Sequence, residues 1–448
     1  MKRTTAFVLT LAMLLSLGAC GAQTQQPKEP AAAEEPAAAE EPAATEVPAA
    51  TDEPAGEIKT LAAPVYPTER RWKEPTHGSD GFTARSIPVM LASLNGENRV
   101  YSPLNIYMAL GMLAEITDGE SRGQLLKLLG SADVESLRAG VRTLWETEYR
   151  EADEWMDLTV LPAASVWLRD GTEYKPEALQ HLADDYYAAA FSGPMGDASY
   201  DRMLRDWINE RTNHLLERQA ENLSLDADTV IALVTTLYFK GGWGEKFNEG
   251  ATRQDLFHTE NGDVEADFMR QSLTMEYFRG EHFGAVCLSM GGAGMWLLLP
   301  DEDCSLQELI DGGEAADFLS GRRDWADAKE YIVHLSLPKF DVSVDLSLIE
   351  ALQTLGVTDV FDPAVSDFSP LSDKVLMVTQ AQHAARVKID EEGCEAAAFT
   401  MIAAAEGAAF FEEQPPEIDF VCDRPFLFAV SGRDSILFLG AICDPTAD

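Results

Sequence analysis

The sequence predicts an α+β fold built as one large domain, and three observations carry that prediction. Apolar residues recur at helical spacing in the first half of the chain. In the second half they alternate or run continuously, as strands do. No linker interrupts the composition from about Tyr66 to Asp448, and a hydrophobic share of 46% is ample for one large core. Length alone, 448 residues, would allow two or three domains, but that prior is soft.

The first residues read as a targeting signal. Lys2 and Arg3 precede an apolar run from Ala6 to Leu17, followed by the small residues Gly18 and Ala19 and then Cys20. A basic start, a short apolar run and small residues at the cut describe an export signal over residues 1–19. The run is too short for an ordinary membrane span. The ending Leu17-Gly18-Ala19-Cys20 resembles the bacterial lipoprotein box, which implies a lipid on Cys20 and attachment to the outer face of a bacterial membrane. Two or three acyl chains are what stable anchoring requires.

Residues 20–65 read as a tether. From Gly21 to about Ala63 the composition collapses to Ala, Glu, Pro, Thr and Gln, with Glu-Pro-Ala-Ala-Ala-Glu-Glu-Pro recurring. Such a stretch has almost no large apolar residue with which to build a core. Recurring Pro and like charges favour an extended chain, with an upper reach on the order of 130 Å at about 3.1 Å per residue.

The domain then spans residues 66–448. Ile106, Ala109, Leu110 and Leu113 predict a helix over 102–113, with Ser102 as cap and Pro103 at its first position. The pattern resumes over 122–129. Residues 333–337, 340–344 and 385–389 alternate as half-buried strands, and 426–430 and 436–440 read as fully buried ones.

Several functions are disfavoured. Acidic residues number 76 against 34 basic ones, a net charge of −42, and no Lys/Arg stripe is present. Nucleic acid is therefore not an expected partner. There is no Gly-x-Ser-x-Gly elbow, no His-Glu-x-x-His and no Walker loop, so no catalytic site is expected. Besides Cys20 the cysteines stand at 287, 304, 394, 422 and 443, scattered and odd in number. This suggests thiols rather than a disulfide scaffold or a zinc site, and neither metal nor cofactor is expected.

An ordered set of motifs resembles the serpin family. It opens on Asn98-Arg99-Val100-Tyr101-Ser102-Pro103-Leu104-Asn105-Ile106 and continues with Leu233 through Gly241-Gly242-Trp243. Thr252-Arg253, Phe257-His258, Leu337-Pro338-Lys339-Phe340, Asp367-Phe368-Ser369 and His383 follow in order. The hinge reads Glu391-Glu392-Gly393-Cys394-Glu395-Ala396-Ala397-Ala398, and Asp423-Arg424-Pro425-Phe426 with Leu437-Phe438-Leu439-Gly440 closes the domain. The resemblance covers roughly residues 80–445. It implies three β-sheets, eight or nine helices, and an exposed reactive loop at about 391–416. It also implies a monomer that traps an extracellular serine protease as a covalent acyl-enzyme while the loop enters the main sheet as a new strand.

The hinge residues suit that motion. Ala396 and Ala398 lie two apart, on one face of a strand, and Cys394 and Thr400 extend the same small-residue face. Glu395, Ala397, Phe399 and Met401 would face the other way; Phe399 is the larger departure from the family, whose members often carry a small residue there. Ser102, Asn105, Thr235 and His383 correspond to the cluster beneath the sheet opening, with amide and hydroxyl exchanged between Asn105 and Thr235 relative to the family. Counting fourteen residues from Gly393 places the scissile bond at Gly407-Ala408, whereas counting back from Arg424-Pro425-Phe426 places it near Phe411 or Glu412. No Arg or Lys lies between Cys394 and Asp423, which disfavours trypsin-like targets. The small residues favour elastase-like or subtilisin-like ones. Two rival readings remain: a non-inhibitory serpin-like binding protein, kept alive by Phe399 and the long loop, and a cross-class inhibitor of papain-like cysteine proteases.

Overall fold

The structure is a computed structural model and describes residues 56–66, 76, 78–152, 157–321, 325, 328–394 and 415–447. Strands β1 (Lys59–Ala62), β2 (Arg99–Tyr101), β3 (Leu158–Arg169), β4 (Ala188–Gly193) and β5 (Ile231–Gly242) come first, interleaved with helices. Six more follow: β6 (Arg253–Thr259), β7 (Gly262–Arg279), β8 (Phe283–Met290), β9 (Ala293–Pro300), β10 (Lys329–Pro338) and β11 (Phe340–Ser347). The last are β12 (Gln382–Ile389), β13 (Gly393–Cys394), β14 (Glu417–Val421), β15 (Phe426–Ser431) and β16 (Ile436–Ile442). The helices are α1 (Asp80–Met90), α2 (Pro103–Glu115), α3 (Gly119–Leu129), α4 (Val134–Glu148), α5 (Pro176–Asp185), α6 (Ala198–Arg211), α7 (Glu217–Glu221), α8 (Leu306–Asp311), α9 (Glu314–Gly321) and α10 (Ile349–Thr354).

Among the described residues the strands form two networks. The main sheet has the order β1-β4-β3-β5-β13-β12-β11, and the other has β14-β10-β7-β8-β9-β15-β16-β2 with β6 paired to β7. Two networks stand where three sheets are expected, because two sheets share the 18-residue β7. It pairs β10 along Phe268–Tyr277 and β8 only at Tyr277–Arg279.

Helix α2 shows why the layers hold together. Ser102 caps it, its hydroxyl accepting from Asn105 N, and Pro103 begins it, as the sequence predicts. Nearly every side chain of α2 is buried, so it is a core helix rather than a surface one. It packs against β5 of the main sheet and β16 of the other. Strands β15 and β16 are buried throughout, which explains their unbroken apolar runs. A second, smaller cluster lies on the outer face of the main sheet, where Leu204, Ile208, Leu216 and Ala220 of the α6–α7 region meet Trp167, Phe191 and Ala232.

One boundary differs from the sequence expectation. Lys59–Ala62, which composition assigns to the 20–65 tether, form the edge strand of the main sheet, with Thr60 opposite Phe191. Tyr66 then stacks on Trp145, Tyr149 and Tyr187. Edge pairing uses main-chain groups, so a strand as polar as Lys-Thr-Leu-Ala leaves little compositional trace.

Candidate functional site

Among the described residues, the main sheet is interrupted at its centre. Among the described residues, β5 and β12 are joined only through the two-residue β13 at one end. Gly393 and Cys394 pair Gly242 and Gly241 on β5, and Cys394 also pairs Ile389 on β12. At that end the separation of β5 and β12 is therefore one strand wide. Glycine is needed here, because a Cβ on Gly393 would lie 2.3 Å from the Gly241 carbonyl oxygen and 2.8 Å from Gly242 Cα.

The hinge leading into β13 is clamped by residues distant in sequence. Trp243 Nε1 donates to the Asp390 carbonyl at 2.7 Å, Trp243 N to the Glu392 carbonyl at 3.0 Å, and Phe247 N to the Glu391 carbonyl at 3.1 Å. The Glu391 side chain accepts from Thr252 Oγ1 at 2.7 Å and from Lys339 Nζ at 3.3 Å. Lys246 pairs with Glu392. Burial pushes the Glu391 carboxyl up, but the Thr252 hydroxyl and the Lys339 ammonium outweigh it and hold the group below its ordinary range.

The four residues expected beneath the opening do come together. The backbone N–H of Ser102 donates to His383 Nε2 at 3.0 Å, Asn105 N to Ser102 Oγ at 3.2 Å, and Thr235 Oγ1 to the Asn105 carbonyl at 3.2 Å. His383 is wholly enclosed, and burial pushes its pKa down to about 4. It is therefore neutral at pH 7, as it must be for Nε2 to accept. Asn105 and Thr235 do not meet through amide and hydroxyl; the contact runs from the Thr235 hydroxyl to the Asn105 main chain. The Asn105 Oδ1 atom is buried with no partner among the described residues.

This arrangement of a split sheet, a clamped hinge entering the split and a polar cluster beneath it accompanies a direct family match. The family profile Serpin (serine protease inhibitor) matches residues 78–445. The chain belongs to the serpin family. Among curated relatives, this serpin is 28% identical to Serpin-Z2A of Oryza sativa subsp. japonica over 407 residues, covering 79% of this chain and 93% of the relative. It is 27% identical to Serpin-ZX of Arabidopsis thaliana over 363 residues, covering 78% and 92%. In fold it is similar to the thermophilic serpin tengpin in its native state, with TM-score 0.72, 24% identity, and 85% of this chain and 97% of that chain covered. It also resembles thyroxine-binding globulin complexed with thyroxine, with TM-score 0.71, 20% identity, and 83% and 99% covered.

Of the hinge named from sequence, the structure places Glu391, Glu392, Gly393 and Cys394 of this serpin. Glu395, Ala396, Ala397, Ala398, Phe399 and Thr400 lie outside the described residues, as do the scissile candidates Gly407, Ala408, Phe411 and Glu412 and the lipidation candidate Cys20. Sequence reasoning assigned no role to Trp243, Phe247, Thr252, Lys246 or Lys339. Trp243, Thr252 and Lys339 stand inside motifs that carry the family resemblance, and the structure shows those three to be hinge contacts.

Proposed function

We propose that this serpin is a suicide inhibitor of extracellular serine proteases, held at a bacterial membrane by lipid on Cys20. The observation that carries the reading is the central split of the main sheet, with the hinge already seated at its end between β5 and β12. A target protease attacks a loop carbonyl with its serine hydroxyl. The loop peptide bond breaks, an acyl ester forms on the serine, and the freed amine becomes the new N-terminus of the C-terminal fragment. Before water reaches the ester, the loop extends the β13 register down the split and carries the attached protease with it.

The small residues Ala396, Ala398 and Thr400 support entry, because the main-core face of that strand lies against α2. An inserted strand that kept the β13 register would bring Thr400 opposite Thr235 and His383, two members of the polar cluster. The composition of the loop favours an elastase-like or subtilisin-like target, with the cut at Gly407-Ala408 or near Phe411-Glu412.

The test is to mix the protein with pancreatic elastase, run a denaturing gel and weigh the released C-terminal peptide. A band at the summed mass, stable to denaturant, is expected, and the peptide mass assigns the scissile bond. Cleavage without that band, repeated with a subtilisin and with a chymotrypsin-like enzyme, would make the protein a substrate and end the inhibitor reading.

A further inference from the structure

The last described hinge residue sets the register of those that follow. Cys394 is antiparallel to both neighbours, opposite Gly241 on β5 and Ile389 on β12. A strand entering the split in that register without a bulge would bring Glu395 between Lys240 and Lys388, and Phe399 between Thr236 and Ala384. The charges agree with it: a carboxylate between Lys240 and Lys388 would meet two cations, of which Lys388 also acts on Asp341, its neighbour on β11. Alternation then assigns the faces. Cys394 belongs to the main core, so in an inserted strand Ala396, Ala398 and Thr400 would share that side, and Glu395, Ala397 and Phe399 would face α6 and α7.

On the α6–α7 side the structure holds a cleft that matches the odd residue of the hinge. Leu204, Ile208, Leu216, Ala220 and Ala232 line it, with Thr236 and Ala384 on its floor. Both floor residues are small, and they are the two cross-strand neighbours of position 399, so the space above them is open to a side chain from the strand between. Thr236 Oγ1 is buried without a partner among the described residues. An aromatic face can accept weakly from such a hydroxyl, which an aliphatic side chain cannot do. The roof is tied down over the sheet, with Arg386 Nη1 donating to the Leu215 carbonyl at 3.1 Å and Arg218 Nη2 to Ser343 Oγ at 3.2 Å.

We propose that this cleft is the seat of Phe399 in the inserted state, so that the bulky residue anchors the new strand beneath α6 and α7 instead of obstructing it. The proposal rests on loop insertion and adds to it the residue that holds the strand in register. Phe399 is a positioning residue: it touches neither the scissile bond nor the protease.

The experiment compares the full-length protein with Phe399→Ala and Phe399→Leu, before and after the loop is cut by elastase, with the cut verified by peptide mass. Thermal midpoints are recorded for each. The cut wild type is expected to melt well above the uncut one. Cut Phe399→Ala should melt roughly 5 °C or more below cut wild type. Phe399→Leu should fall between them, and the three uncut proteins should melt together. A second variant, Ala384→Phe, fills the cleft from the neighbouring strand and should lower the midpoint of the cut form while raising the fraction cleaved without complex. If the cut wild type gains no heat resistance, insertion itself fails. If it gains and cut Phe399→Ala gains equally, insertion stands and the anchor is overturned. An equal loss in cut and uncut Phe399→Ala also overturns it, since the ring would then be seated before insertion.

Discussion

His383 shows how one residue ties the opening to pH. Burial lowers its pKa to about 4 in the folded protein, whereas an unfolded histidine titrates near 6.5. Above about pH 6.5 both states are neutral and the contribution is complete. Between pH 6.5 and 4 the unfolded chain gains a proton that the folded one refuses, so stability is lost as pH falls, by about 3 kcal/mol at most. Thermal midpoints measured across that range should decline in the wild type, and more shallowly in His383→Gln. Parallel curves would mean that other groups govern the acid response. Ala396 is the complementary case. In the proposed insertion it would follow Cys394 on the core-facing side, so Ala396→Arg would bury an unpaired charge, at a cost of several kcal/mol. That variant should be cleaved without trapping the protease; a stable complex on a denaturing gel would place the hinge elsewhere.

At the scale of elements, the decisive piece is the two-residue β13. Its seat depends on the absence of a side chain at Gly393, whose missing Cβ would collide with the backbone of β5. Gly393→Val should therefore expel β13 and destabilise the uncut protein by about 1–3 kcal/mol, read as a lowered denaturation midpoint. An unchanged midpoint would show that the hinge is not seated in solution. Much of this level was legible in the chain. The helix at Ser102-Pro103 and the strands at 333–337, 385–389, 426–430 and 436–440 follow from local spacing and capping. Strand β3 was not legible: Pro162 lies within it, and a proline argues against a central strand. The structure tolerates it because the β4 ladder begins only at Ala164, past the proline.

For the whole molecule, the segment ahead of the first helix bears on stability. Strand β1 and Tyr66 hold residues 59–66 on the domain through a sheet edge and an aromatic stack with Trp145 and Tyr187. A protein beginning at residue 67 should be less stable than one beginning at residue 56 by about 2–4 kcal/mol, from the lost stacking and edge pairing, measurable by denaturant titration. Equal midpoints would mean that the edge strand adds nothing. Cys20→Ser should move the protein from the membrane pellet to the soluble fraction; retention in the pellet would exclude lipid on that cysteine.

By itself the chain determined the fold class, the family and the order of the motifs, and it named a candidate hinge. These rest on local patterns: periodicity, caps, and small residues at two-residue spacing. Tertiary structure alone decided that β5 and β12 stand one strand apart at the hinge, and that Trp243, Thr252 and Lys339 hold the hinge there. It alone showed that Asn105 and Thr235 touch through main chain rather than amide, and that a cleft lies on the α6–α7 side of the split. Each of these depends on residues tens to hundreds of positions apart, brought together by sheet register and by burial, and no local pattern encodes that proximity.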